Sequence, residues 1–74
     1  MPTLNQLQVG DEAVIKNFLN EDLGLLLNEM GFLVNDHVKL TGKAPFGDPI
    51  CLQNEESMIS LRKEEAQKIE VEKI

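Results

Sequence analysis

The chain has no tryptophan and no tyrosine, one cysteine, one histidine and three phenylalanines among its 74 residues. Its core must therefore be aliphatic, supported by Phe18, Phe32 and Phe46. The single cysteine, Cys51, excludes an intramolecular disulfide and suits a reducing compartment. With one histidine there is little general acid-base capacity, and no serine or cysteine is placed with a histidine and an acid as a nucleophile requires. A Gly-rich phosphate loop is also missing, so neither catalysis nor nucleotide hydrolysis is expected. Arg62, the only arginine, stands beside Lys63, Glu64 and Glu65, a setting that suits a local ion pair or helix turn better than an arginine finger.

No run approaches the roughly 20 apolar residues of a membrane span, and Met1 to Gly10 has neither the basic start nor the apolar stretch of a signal peptide. The chain reads as cytoplasmic, without direct membrane insertion. Basic side chains are scarce, 7 against 13 acidic ones, and the net charge of −6 opposes binding to nucleic acid or to an anionic bilayer. Spacings that bind metals are missing as well: there is no Cys-x-x-Cys, no His-x-x-x-His and no carboxylate-rich loop. The candidate ligands are Asp36, His37, Asp48 and Cys51. If the proline turn described below closes a hairpin, Cys51 lies opposite Lys43, and His37 is about 20 Å away at 3.3 Å per strand residue. No metal site and no cofactor are expected.

What the chain does have is alternation. Ala13 and Ile15 against Val14 and Lys16 make a mostly alternating pattern over Glu12 to Phe18; His37 to Ala44 places Val38, Leu40, Gly42 and Ala44 on one face; Ile50 and Leu52, Ile59 and Leu61, then Ile69 and Val71 follow in three short runs. These are five strands. Thr3 can cap a first turn at Leu4 to Leu7, and Asn20 can cap a helix from Glu21 to Met30 with Glu21 and Asp22 favouring its start. Leu23, Leu26, Leu27 and Met30 give that helix an apolar stripe, and Gly31 suits a left-handed end. Leu25 points away from the stripe, while Gly24 costs about 1 kcal/mol relative to alanine unless it permits close packing. Asn35-Asp36 and Asn54-Glu55-Glu56 are turns, and Lys63 to Lys68 is one packed helical turn.

At this size a chain buries only about 60% of the surface exposed when unfolded. Five short strands are unstable as a flat sheet, so the expected architecture is a single domain over residues 1–74. It is mainly β, a small SH3-like barrel with a helical insertion. The most constrained segment is Ala44-Pro45-Phe46-Gly47-Asp48-Pro49-Ile50, where two prolines and a glycine make a stiff reversal.

That turn, Glu29-Met30-Gly31-Phe32 before it, and Ile59-Ser60-Leu61-Arg62-Lys63-Glu64-Glu65-Ala66 with Ile69-Glu70-Val71 after it occur in an order that resembles the FeoA family of ferrous-iron-transport accessory proteins. The resemblance runs from Leu4 to Val71. One departure is Asn35, where the family usually has glycine; asparagine tolerates left-handed geometry better than most residues, so the turn should survive. The resemblance implies an SH3-like barrel without catalytic activity. It also implies a partner, FeoB, the membrane ferrous-iron transporter with a cytoplasmic G domain, bound from the cytoplasmic side and modulated in transport or GTPase activity. A second copy of the chain is a further candidate partner. Two alternatives stand beside this: a free-standing regulatory domain akin to the C-terminal SH3-like domain of metal-dependent repressors, and a small iron-binding chaperone. The candidate contact residues are Leu25 on the helix and Pro45, Phe46 and Pro49 on the turn, since an aromatic on a rigid turn loses little entropy on docking. The competing role for Phe46 is to fold back and cap an open end of the barrel.

Overall fold

The alternating segments become five antiparallel strands in the computed structural model, which describes Met1–Ile74. They are β1 (Glu12–Phe18), β2 (His37–Lys43), β3 (Ile50–Gln53), β4 (Met58–Leu61) and β5 (Ile69–Lys73), with helix α1 (Glu21–Glu29) after β1 and the single-turn helix α2 (Lys63–Ala66) after β4. The order across the sheet is β4-β3-β2-β1-β5. No ladder joins β4 to β5, yet Ile59 and Leu61 of β4 share one core with Ile69 and Val71 of β5 and with the inward residues of the other strands, so the sheet curls on itself. This is the expected barrel-like arrangement, with its two end strands not hydrogen-bonded to each other. No helix is long and apolar enough to cross a membrane.

The core holds sixteen apolar residues and no polar one. Of the three phenylalanines only Phe32 is fully buried; Phe18 packs at the margin and Phe46 is outside. The expected aromatic support thus reduces to Phe32 with part of Phe18.

Helix α1 begins as its sequence indicates, with Leu23 N–H donating to Asn20 Oδ1 at 2.9 Å. It ends at Gly31, φ +90°, where Phe32 N–H reaches Leu27 O at 2.8 Å. Its buried face, however, is Leu23, Gly24 and Leu27 rather than the expected Leu23, Leu26, Leu27 and Met30. The cause is Phe18: a Cβ on Gly24 would stand 3.3 Å from two Phe18 side-chain atoms, so the glycine lets the end of β1 press against the helix backbone. The helix is turned toward that contact, and Leu26 and Met30 stay 48% and 41% exposed.

Asn35 takes φ +77°, the left-handed conformation required of it, and its N–H donates to Ile15 O at 2.7 Å. Strand β2 departs from strict alternation. Leu40 pairs with Leu52 but Gly42 pairs with Cys51, so Thr41 is an extra residue that breaks the single face expected for Val38, Leu40, Gly42 and Ala44. Cys51 accordingly stands opposite Gly42, not Lys43.

The N-terminal segment closes the outer side of β5. Val71 N–H donates to Pro2 O at 2.9 Å, Thr3 bridges to Glu70, and a 3-10 turn at Leu4–Gln6 inserts Leu4 and then Leu7 into the core. Thr3 N–H is accepted by Gln6 Oε1 at 2.8 Å. Asp11 then secures the entry to β1: its carboxylate accepts Gln8 N–H at 2.8 Å and lies 3.5 Å from Lys73 Nζ. The Gln8 amide, aided by Lys73, holds the Asp11 carboxyl below its ordinary value of 3.8.

Two outcomes follow from these contacts. Gly24→Val, which forces a branched side chain against Phe18, is expected to lower stability by about 1–3 kcal/mol, read from the urea midpoint. Because Asp11 has a lowered carboxyl pKa in the folded state, its stabilising effect is complete above the unfolded value and is lost as pH falls through the folded one. Urea midpoints measured from neutral pH into the acid range should therefore decline less steeply for Asp11→Asn than for the unmodified chain.

Candidate functional site

The turn between β2 and β3 is rigid by construction. Pro45 fixes its own φ, Gly47 N–H donates to Ala44 O at 2.7 Å, and Gly47 adopts φ +78°, which a side chain would oppose. Ala44 N–H donates to Pro49 O at 3.0 Å and closes the loop; the Asp48-Pro49 peptide is cis. At the tip Phe46 is 96% exposed. It does not fold back over the barrel, which removes the capping role and leaves a bare aromatic on a stiff support.

Asp48 does more than shape the turn. Its Oδ1 accepts Lys63 N–H at 3.0 Å, so a carboxylate from the β2–β3 turn caps the first residue of α2. The same helix start is closed from the other side by Arg62 N–H donating to Glu65 Oε1 at 2.9 Å. Nothing local in the sequence marks this cap, because its two halves are fifteen residues apart.

Leu25, the other residue singled out in the sequence, is 58% exposed on α1. The structure does not bring it onto the turn. Helix α2 intervenes, with a cleft of about 420 Å³ on its turn side lined by Asp48, Arg62, Lys63, Glu64 and Gln67. On the α1 side a cleft of about 380 Å³ places Asp22, Leu23 and Leu26 across from Glu64, Glu65 and Lys68. Pro45, Phe46 and Pro49 are thus one feature and Leu25 belongs to another. The second feature is larger than the sequence suggested, since Leu26, Met30, Leu33 and Val34 are exposed along with it. Its signal was Gly24: a glycine beside Leu23 and Leu27 shifts the helix face that can approach another backbone.

The candidate metal ligands are dispersed. His37 Nε2 lies 2.8 Å from Glu12 Oε1 on the neighbouring strand, Asp36 Oδ2 accepts Leu33 N–H at 2.9 Å, Asp48 caps α2, and Cys51 is half-buried against Gly42. No three His, Cys, Asp or Glu side chains converge where they could hold a metal ion.

Comparison with known proteins agrees with the architecture. Residues 3–73 match the FeoA domain family. The chain is 38% identical over 74 residues to an Fe(2+) transport protein A/Fe(2+) transporter FeoB fusion protein of Porphyromonas gingivalis, a match that takes in 96% of this chain but only 8% of the fusion protein. Iron(II) transport protein A from Clostridium thermocellum superimposes with a TM-score of 0.88 at 36% identity, over 99% of this chain and 46% of that one. The zinc complex of FeoA from Stenotrophomonas maltophilia, described as an SH3-domain protein and a candidate ferrous-iron-transport activating factor, matches with a TM-score of 0.82 at 27% identity, over 97% of this chain and 91% of that one. A manganese-dependent transcriptional repressor shares the fold alone, with a TM-score of 0.86 at 15% identity over 99% of this chain and 41% of its own.

The cross-turn cap is open to a direct test. Asp48→Ala should cost about 0.5–2 kcal/mol and Asp48→Asn much less, because asparagine can still accept from Lys63 N–H. Hydrogen exchange should show the loss concentrated in α2 and the proline turn.

Proposed function

This chain belongs to the FeoA family, and from that membership we propose that it is a non-enzymatic accessory protein of ferrous-iron uptake. In this reading it acts in the cytoplasm, docks on a FeoB-type transporter and modulates its transport or GTPase cycle. The observation that carries the reading is the relative in which an FeoA portion and a FeoB transporter are one polypeptide. A tether of that kind converts encounter into an intramolecular event and raises the effective concentration of each part for the other. An accessory role also agrees with the residue inventory, in which no nucleophile, acid-base pair or phosphate loop is assembled.

The contact residues proposed are Leu25 and, on the turn, Phe46 between Pro45 and Pro49. A preformed aromatic tip commits little conformational entropy to docking, and such residues dominate the energy of small interfaces. A second reading, a free-standing regulatory domain acting on a transcription factor, draws on the likeness of fold to the manganese-dependent repressor. Recovery from cell extract separates the two, since capture of a repressor without any transporter favours the second.

For the first reading, binding to a purified FeoB-type transporter is measured with Leu25→Glu and Phe46→Asp. Each is expected to weaken binding by about tenfold or more while the melting temperature stays unchanged. Unchanged affinity in both variants removes these residues from the interface, and no binding by the unmodified chain removes the transporter as partner.

A further inference from the structure

We propose that the exposed side of α1, with the clefts at its two ends, is a docking surface for a cationic amphipathic peptide segment, apolar in its middle and carrying lysine or arginine at each end. The inference rests on reading the chain as an interaction module, and it names the chemistry of what such a module holds. Leu26 and Met30 are four residues apart and therefore neighbours on one side of the helix. Leu25 is exposed on the same helix about 100° further round, and Leu33 and Val34 are exposed just past the helix end, so five large apolar side chains within ten residues face water. One exposed leucine is ordinary; five large apolar side chains left in water on a helix and the segment that follows it are what a covered surface looks like without its cover.

Charge decides what covers it. From Asn17 to Asp36 the chain carries Glu21, Asp22, Glu29 and Asp36 and no lysine or arginine. Beside the N-terminal half of α1, the cleft of about 380 Å³ gathers Asp22, Glu64 and Glu65 around Leu26, with Lys68 as its one base. Beyond the C-terminal end, a cleft of about 390 Å³ sets Asp36, Glu55 and Glu56 beside Leu33 with no lysine or arginine. Asp22 in the first cleft and Gly31 in the second are nine positions apart along the chain, about 14 Å at 1.5 Å per helical residue. An apolar strip closed at each end by three carboxylates complements a segment with the reverse arrangement. A helical segment places its basic residues about nine positions apart to reach both clefts, and an extended one about four. Anionic occupants, whether nucleic acid or acidic lipid, meet repulsion at both ends.

The test is titration of the 15N-labelled full chain with a synthetic leucine-rich peptide bearing lysines at both ends, and with the same peptide bearing glutamates instead. Expected are amide shifts confined to Leu25–Val34 and the neighbouring Glu55, Glu56, Glu64 and Glu65, affinity for the lysine peptide that weakens with salt, and at least about tenfold weaker binding of the glutamate peptide. Leu26→Gln/Met30→Gln should reduce affinity for the lysine peptide by about tenfold. Glu55→Lys/Glu56→Lys, which alters only an exposed turn, should also weaken it and flatten its salt dependence. Equal binding of the two peptides, shifts centred on Phe46, or no binding overturns the proposal. No transporter enters this experiment, so the transporter reading can fail while the peptide binds, and the peptide can fail while the transporter binds.

Discussion

The seating of α1 against Phe18 through Gly24 governs how the rest of this molecule presents itself. Without a Cβ at position 24 the helix backbone settles onto the ring at the end of β1, and fully buried Phe32 secures the other end just past Gly31. Held at both ends, the helix cannot roll to bury its whole leucine content. Leu23 and Leu27 enter an aliphatic core that has no polar member, while Leu25, Leu26 and Met30 are left on the outside. A small domain short of aromatics thus gains its helix-to-sheet contact from a glycine, and the exposed apolar strip is the geometric result.

Strands were legible because period-two alternation survives in any sheet with one buried face, and β3, β4 and β5 show it cleanly, while β1 shifts register between Ile15 and Asn17. Helix α1 was legible from Asn20, the acidic first turn and Gly31, all of them local signals. The parts that were not legible depend on contacts the linear pattern does not contain. Helical periodicity placed Leu26 and Met30 in the stripe because it counts side chains and cannot see that a missing one is the closest point of approach. Alternation through β2 failed at Thr41, where the bulge adds a residue without a compositional mark. The position of Cys51 failed with it by one place. Asn35 was read correctly, since its left-handed conformation is a property of residue type and turn position.

Of the candidate site, the stiffness of the proline turn could be read directly, whereas the direction of Phe46 and the role of Asp48 could not. Both depend on how the hairpin lies against α2. Through Asp48 the turn is anchored to the start of α2, and through Glu64 and Glu65 the same short helix borders the cleft beside Leu26. Helix α2 is therefore the common wall of the two surface features. The helix has four residues and one buried side chain, Ala66, so its geometry is set by the groups that cap it.

The N-terminal pairing on β5 has a consequence for how this sheet meets other chains. A strand at the rim of a sheet ordinarily offers a row of free amides onto which a foreign strand can add, the first step toward aggregates. Here the outermost residues are Pro2, which has no amide hydrogen, and Thr3, whose amide is already held by Gln6 Oε1. The chain finishes that rim with a segment that accepts a hydrogen bond inward and has no free donor of its own at these two positions, so growth of the sheet stops there.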